Sequence, residues 1–179
     1  MNSIKIEIAG EQDSEVIREI YQTAFPEEES AMVAKLAVDL LAEKTIPEIL
    51  SLVAREIETT LGHVAFSPVK VEYNESSKAS ILAPLAVHPE HQQKKVGSRL
   101  IESGLEKLKE AGGNIVFVYG DPEFYGKFGF DADTANDFPA PFDLEYPFGW
   151  QALILKDWSD KTTPAATSCV SALSDPDLW

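Results

Sequence analysis

From Val87 to Leu100 the sequence reads Val-His-Pro-Glu-His-Gln-Gln-Lys-Lys-Val-Gly-Ser-Arg-Leu, a strand end, a polar loop and the start of an amphipathic helix. That order lets the backbone N–H groups of Gln92, Gln93, Lys94, Lys95, Val96, Gly97 and Ser98 converge, with the positive end of a helix behind them. What such a cradle holds is an anion, and a pyrophosphate suits it. The local charge agrees. The chain carries a net charge of −15, yet residues 92–109 hold Lys94, Lys95, Arg99, Lys107 and Lys109 against only Glu102 and Glu106. Reversed sign beside a helix start focuses positive potential on a polyanion. An ordinary basic helix face would carry the same residues, so spacing alone leaves both readings open.

Other chemistries find little support. Cys169 is the only cysteine, so neither an internal disulfide nor a thiolate metal cluster can form, which suits a reducing compartment. No zinc-finger, calcium-loop or Walker spacing occurs. An excess of 30 acidic over 15 basic residues argues against nucleic acid and anionic membranes, both of which need a basic face. No apolar run approaches the ~20 residues of a membrane-spanning helix, and the first residues lack a secretory signal. A soluble, cytoplasmic protein is expected.

The elements that must position the loop follow from periodicity. At 179 residues the chain fits one α/β domain. Ile4, Ile6 and Ile8 alternate with polar residues as a strand with one buried face. Val16, Ile17, Ile20, Tyr21 and Ala24 form a helical stripe, capped by Asp13 or Ser14 and stopped by Pro26. A second helix covers residues 30–43, with Glu27, Glu28 and Glu29 as an acidic loop or first turn. Residues 49–57 and 61–73 read as a hairpin, and residues 80–87 as a strand buried on both faces. The helix led by Val96 and Leu100 stops at Gly112-Gly113. Further strands are expected at 114–119, 128–131 and 150–155, with a short helix at 122–127. Residues 133–149 are a loop rich in Pro and Phe whose aromatic residues cover the core or wall a pocket. Residues 1–158 form the domain, and residues 159–179, without a period, read as a C-terminal tail that Trp179 could anchor.

The segment from Gln92 to Gly97 resembles the acetyl-CoA-binding motif Q/R-x-x-G-x-G/A of the GNAT-type N-acetyltransferases, with Lys95 standing where the family has its middle glycine. Leu85-Ala86-Val87-His88-Pro89-Glu90 resembles that family's fourth strand and Gly62-His63-Val64 the start of its third. Tyr125-Gly126-Lys127-Phe128-Gly129-Phe130 matches the family pattern Y-x-K-x-G-F at every fixed position. With Gly120-Asp121-Pro122-Glu123-Phe124 before it, it is similar to a bacterial subgroup of uncharacterised predicted acetyltransferases. The resemblance spans residues 4–156.

The resemblance implies a mixed, mostly antiparallel α/β sheet splayed at its fourth and fifth strands and flanked by helices. It implies acetyl-CoA as co-substrate, with pantetheine along Leu85, Ala86 and Val87 and the phosphates on residues 92–98. It also implies direct transfer of acetyl to the amine of a small molecule or peptide. A backbone N–H of Ala86 or Val87 would stabilise the oxyanion, and Tyr125 would protonate the departing thiolate. The amine must first lose a proton, for which His63, His88, Glu27, Glu28, Glu29 or a water chain are candidates. Each side chain also has a plain reading, as packed strand residue, turn residue or solvated acidic run. Asp121 and Asp143 could hold a cationic acceptor or simply make turns. Relatives in the family are often dimers, so a homodimer is implied. The rival within the same fold is a non-catalytic CoA-binding sensor.

Overall fold

The structure is a computed structural model that describes residues 3–156, 158 and 164–179. Its strands run in the order β1-β2-β3-β4-β5-β6, with β7 beside β3. The sheet is mostly antiparallel and flanked by helices, as expected. The chain groups into two compact units, one of residues 1–66 and 84–104, the other of residues 67–83 and 105–179.

The first unit begins with β1 (Lys5–Ile8), which pairs antiparallel with β2 (Leu50–Glu56) from Lys5↔Arg55 to Ile8↔Leu52. Unlike the expected half-buried strand, β1 leaves Ile8 69% exposed, with Ile4 and Ile6 half-buried. It ends the strand order and, among the described residues, has a strand on one side only, so alternation there does not translate into a covered face. Next, β2 pairs with β3 (Thr59–Val71) from Leu50↔Phe66 to Glu56↔Thr59. Asp13 does precede α1 (Ser14–Ala24), but its side chain makes no cap bond to that helix. It accepts instead from Gly10 N at 2.9 Å and from the Arg55 guanidinium.

The helix α2 (Glu27–Ala42) starts three residues earlier than expected, so Glu27, Glu28 and Glu29 form its first turn, where the helix dipole favours negative charge. Ile17, Ile20 and Tyr21 of α1 and Ala34 and Ala37 of α2 pack with Val53 and Ala86 in one buried cluster. Each fully buried Ile contributes roughly 1.5–3 kcal/mol relative to an exposed one. Gly104 belongs to α3 (Val96–Glu110). A Cβ there would lie 2.1 Å from Phe66 Cε2, which fixes how closely this part of α3 approaches its strand.

In the second unit the first residues of β4 (Ala79–Val87) run parallel to β5 (Ile115–Tyr119), from Ala79↔Ile115 to Leu82↔Val118. Residues 83–87 continue past the end of that ladder. On its other side β5 pairs antiparallel with β6 (Trp150–Ile154). Phe117 stacks on Trp150 at 5.1 Å and meets Phe138 edge-on at 5.4 Å. The aromatic loop therefore divides: Phe138 is buried in the core, while Tyr146 and Phe148 are 53% and 64% exposed.

One expectation fails here. No strand forms at residues 128–131. A 3-10 turn runs to Phe128, Gly129 turns left-handed at φ 96° and Asp131 makes only an isolated bridge to Ala152. The Asp131 carboxylate then caps α5 (Ala132–Ala135) by accepting from Asp133 N at 2.6 Å. Residues 164–179, part of the expected tail that Trp179 could anchor, are tied to the rest of the second unit. Thr167–Ser168 form β7, paired with Lys70 and Val71, and Ala165 N donates to Asp137 O at 2.9 Å. Trp179 stacks on Tyr119 at 6.2 Å and meets Trp150 at 6.0 Å. The residues just after the expected boundary at 158, 159–163, lie outside the described set.

Candidate functional site

In the first unit, β4 ends at Val87 and His88 caps a 3-10 turn, Pro89–His91, its Nδ1 accepting from Glu90 N at 3.3 Å. The loop that follows has two left-handed residues, Gln93 at φ 70° and Lys95 at φ 60°. Each costs roughly 1–3 kcal/mol relative to ordinary backbone. Left-handed residues set into a turn gather successive N–H groups into a concavity that suits an anion. Lys95 therefore takes a left-handed conformation that glycine favours, and its side chain is exposed. Buried Val96 pins the start of α3, and the first helical bond around it is Arg99 N to Lys95 O at 3.0 Å. The N–H groups of Val96, Gly97 and Ser98 lie ahead of that bond, among the donors a helix start leaves without an intrahelical acceptor.

The side chains divide the labour. Gln92 Nε2 donates to Val87 O at 3.2 Å, so this residue shapes the loop. Arg99 donates to Ile4 O at 2.7 Å and is spent on the fold. The Lys94 ammonium lies 3.5 Å from His91 Nδ1. Along β4, the His88 N–H donates to Leu61 O at 2.8 Å. Strand alternation turns the backbone groups of Ala86 the same way and those of Leu85 and Val87 to the opposite edge. A Cβ on Gly62 would stand 2.9 Å from Ala86 O, which explains the glycine there.

His63 is not an accessible base. It is fully buried, with Nδ1 2.8 Å from Tyr21 Oη and Nε2 2.7 Å from Ser51 Oγ. Burial holds its pKa down at about 3, against a smaller opposing effect of Asp13. His88 is half-buried, and Glu27, Glu28 and Glu29 are exposed on the first turn of α2.

In the second unit, β5 leads through Gly120 into α4 (Pro122–Tyr125), whose start is capped by Asp121 accepting from Glu123 N at 2.9 Å. Asp121 is thus a capping residue. Asp143 is exposed. The half-buried Tyr125 ring meets Phe124 at 5.0 Å and Phe130 at 5.9 Å. Burial, with help from the charge of Asp121, pushes its phenol up to about 12, so near neutral pH it holds its proton and can give it. Gly120 was read in the sequence only as part of the stretch before Tyr125, with no role of its own. A Cβ at that position would lie 2.5 Å from Tyr125 Cε2, and a glycine between a buried strand and an Asp-Pro helix start was the available signal.

Residues 5–132 match the family model described as acetyltransferase (GNAT) domain. The uncharacterized N-acetyltransferase YjhQ of Escherichia coli K12 is 35% identical over 139 residues, 76% of this chain and 75% of that protein. Among solved structures, the GNAT family N-acetyltransferase YhbS from Escherichia coli in complex with CoA is similar at TM-score 0.80 and 28% identity, covering 97% of this chain and 92% of that one. A GNAT family acetyltransferase from Brucella melitensis in complex with acetyl-CoA is similar at TM-score 0.73 and 26% identity, over 96% and 99% of the two chains.

Proposed function

This chain belongs to the GNAT acetyltransferase family, and on that premise we propose that it moves the acetyl group of acetyl-CoA onto the amine of a small molecule or peptide. The observation that carries the reading is the loop before α3, where left-handed Gln93 and Lys95 lead into the helix start. Loop N–H groups of residues 93–98 would take the phosphates, with Lys94 and Lys95 supplying positive charge. Gln92 would brace the loop, and the Leu85 and Val87 backbone groups would pair with the pantetheine amides.

Acetyl-CoA brings the activated thioester, and the chain's own groups supply the rest. Val87 N–H, on the edge turned from Leu61, would donate to the carbonyl oxygen as it gains charge. The neutral amine nitrogen forms the new C–N bond, the C–S bond breaks, and Tyr125 would hand its proton to the leaving sulfur. The amine's proton leaves by water, or through His88 or the Glu27–Glu29 turn, since His63 is sealed. None of the described helices is long and apolar enough to cross a membrane. A cytoplasmic location and a homodimer complete the proposal.

Calorimetric titration with acetyl-CoA tests it, followed by a thiol-release assay across an amine panel. Saturable binding weakened by Lys95→Glu, with amine-dependent CoA release, is the expected result. Absence of saturable binding overturns the reading.

A further inference from the structure

Two of the chain's three histidines stand in one 3-10 turn with a glutamate between them. His88, Glu90 and His91 each offer a ligand atom, and these atoms lie within 4.8 Å of one another. The two imidazole centroids are 5.7 Å apart. The frame beneath them is fixed. His88 N donates to Leu61 O and His91 N to His88 O, both at 2.8 Å, and Pro89 stiffens the link. The histidines are half-buried and Glu90 is exposed, so the side chains can rotate while the backbone holds.

We propose that His88, Glu90 and His91 form a binding site for one divalent d-block cation of the zinc class. Two imidazoles and a carboxylate are a zinc-type donor set, which tetrahedral coordination at about 2.0–2.2 Å completes with one water. Ligand atoms around such an ion stand about 3.3 Å apart, and side-chain rotation closes the remaining gap. Hard cations such as Mg²⁺ and Ca²⁺ prefer oxygen donors and larger coordination numbers, so they gain little here. The competitor is internal. Lys94 Nζ lies 3.5 Å from His91 Nδ1, a positive charge beside a donor that the cation needs, so the site is strengthened by removing Lys94. None of this depends on the acetyltransferase reading.

The test is calorimetric titration of untagged, chelator-stripped protein with Zn²⁺, in the absence of any CoA, whose thiol would itself take the metal. One equivalent should bind. His88→Ala and His91→Ala should each weaken it by at least about tenfold, the lower end of what losing even an outer-shell partner costs, while Lys94→Gln tightens it. Melting temperatures of the His91 variants should match wild type, because the turn is held by backbone bonds and by the His88 cap; His88→Ala also loses that cap and should melt lower, and His91→Gln provides a second, milder variant. Co²⁺ should give the visible absorption of a low-coordinate nitrogen-ligated site, lost in His91→Ala. Absence of Zn²⁺ binding, binding unchanged when His88→Ala and His91→Ala are combined, or equal affinity for Mg²⁺ overturns the proposal.

Discussion

The Tyr125 ring lies so close over Gly120 that a Cβ on Gly120 would sit 2.5 Å from Tyr125 Cε2. The main chain of Gly120 is itself fixed, its N–H donating to Gly149 O at 3.0 Å, so the phenol must move if a methyl group is added. Gly120→Ala should therefore lower kcat by on the order of a hundredfold through misplacement of the donor. The overpacking should cost about 1–3 kcal/mol of stability. Steady-state kinetics and urea melts check the pair, and wild-type kcat in a folded variant contradicts the proposed role of Tyr125.

Removing the hydroxyl while keeping the ring separates chemistry from packing. Tyr125→Phe should lower kcat by about 10²–10⁴-fold with acetyl-CoA affinity unchanged. Because the folded phenol titrates at about 12, above its ordinary 10, the folded state holds that proton more tightly. The resulting stabilisation is complete below pH 10 and lost as pH rises towards 12. Alkaline melts of Tyr125→Phe should lack this share of the decline, and superimposable wild-type and variant curves would count against it.

His63 predicts the opposite limb. Its folded pKa is lowered to about 3 from 6.5, so its contribution is intact above pH 6.5 and lost as pH falls from there towards 3. Replacing it with Ala should leave the buried Ser51 hydroxyl without the imidazole, at a cost of about 1–3 kcal/mol at neutral pH, while Tyr21 Oη keeps the His63 carbonyl at 3.3 Å and the acid decline flattens. The lower limb of the pH–rate profile should stay where it is. A shifted limb would make His63 part of the proton path after all.

The sequence and the structure agree where information is local. The succession of loop and helix start across residues 92–98 and the stripe of Ile17, Ile20 and Tyr21 were legible because a few neighbouring residues dictate both. The fate of His63 was not, because its partners lie 42 and 12 positions away. Alternation in β1 could not reveal that it ends the strand order. Residues 164–179 lack a period because backbone bonds to Asp137 and Pro139 and one terminal indole hold them, none of which requires an amphipathic pattern. In the same way, the contact of Tyr125 with Gly120 is a matter of missing atoms, which spacing cannot express.

Lys95 tests whether its loop matters by shape or by charge. At φ 60° a side chain costs roughly 1–2 kcal/mol that glycine avoids, partly offset by the greater freedom of glycine in the unfolded chain. Lys95→Gly should be neutral to slightly stabilising and keep acetyl-CoA affinity within a few-fold. Lys95→Glu keeps the strain and reverses the charge, and should weaken binding by roughly tenfold, about 1.4 kcal/mol. Equal losses in both variants would mean that the ammonium itself grips a phosphate.

Trp179 closes the chain against three aromatic rings, Tyr119 at 6.2 Å, Trp150 at 6.0 Å and Phe142 at 5.9 Å, while its Nε1 donates to Leu173 O at 3.0 Å. Aromatic pairs contribute about 0.5–1.5 kcal/mol each beyond area burial, so Trp179→Ala should destabilise the protein by about 2 kcal/mol. Tyr119 and Trp150 are paired neighbours on β5 and β6, and Tyr119 Oη accepts from Tyr146 N at 3.0 Å. Loss of the indole should consequently loosen the loop that carries Tyr146 and Phe148, seen as faster amide exchange at Tyr146. Unchanged stability and exchange would return residues 164–179 to the status of a dispensable tail.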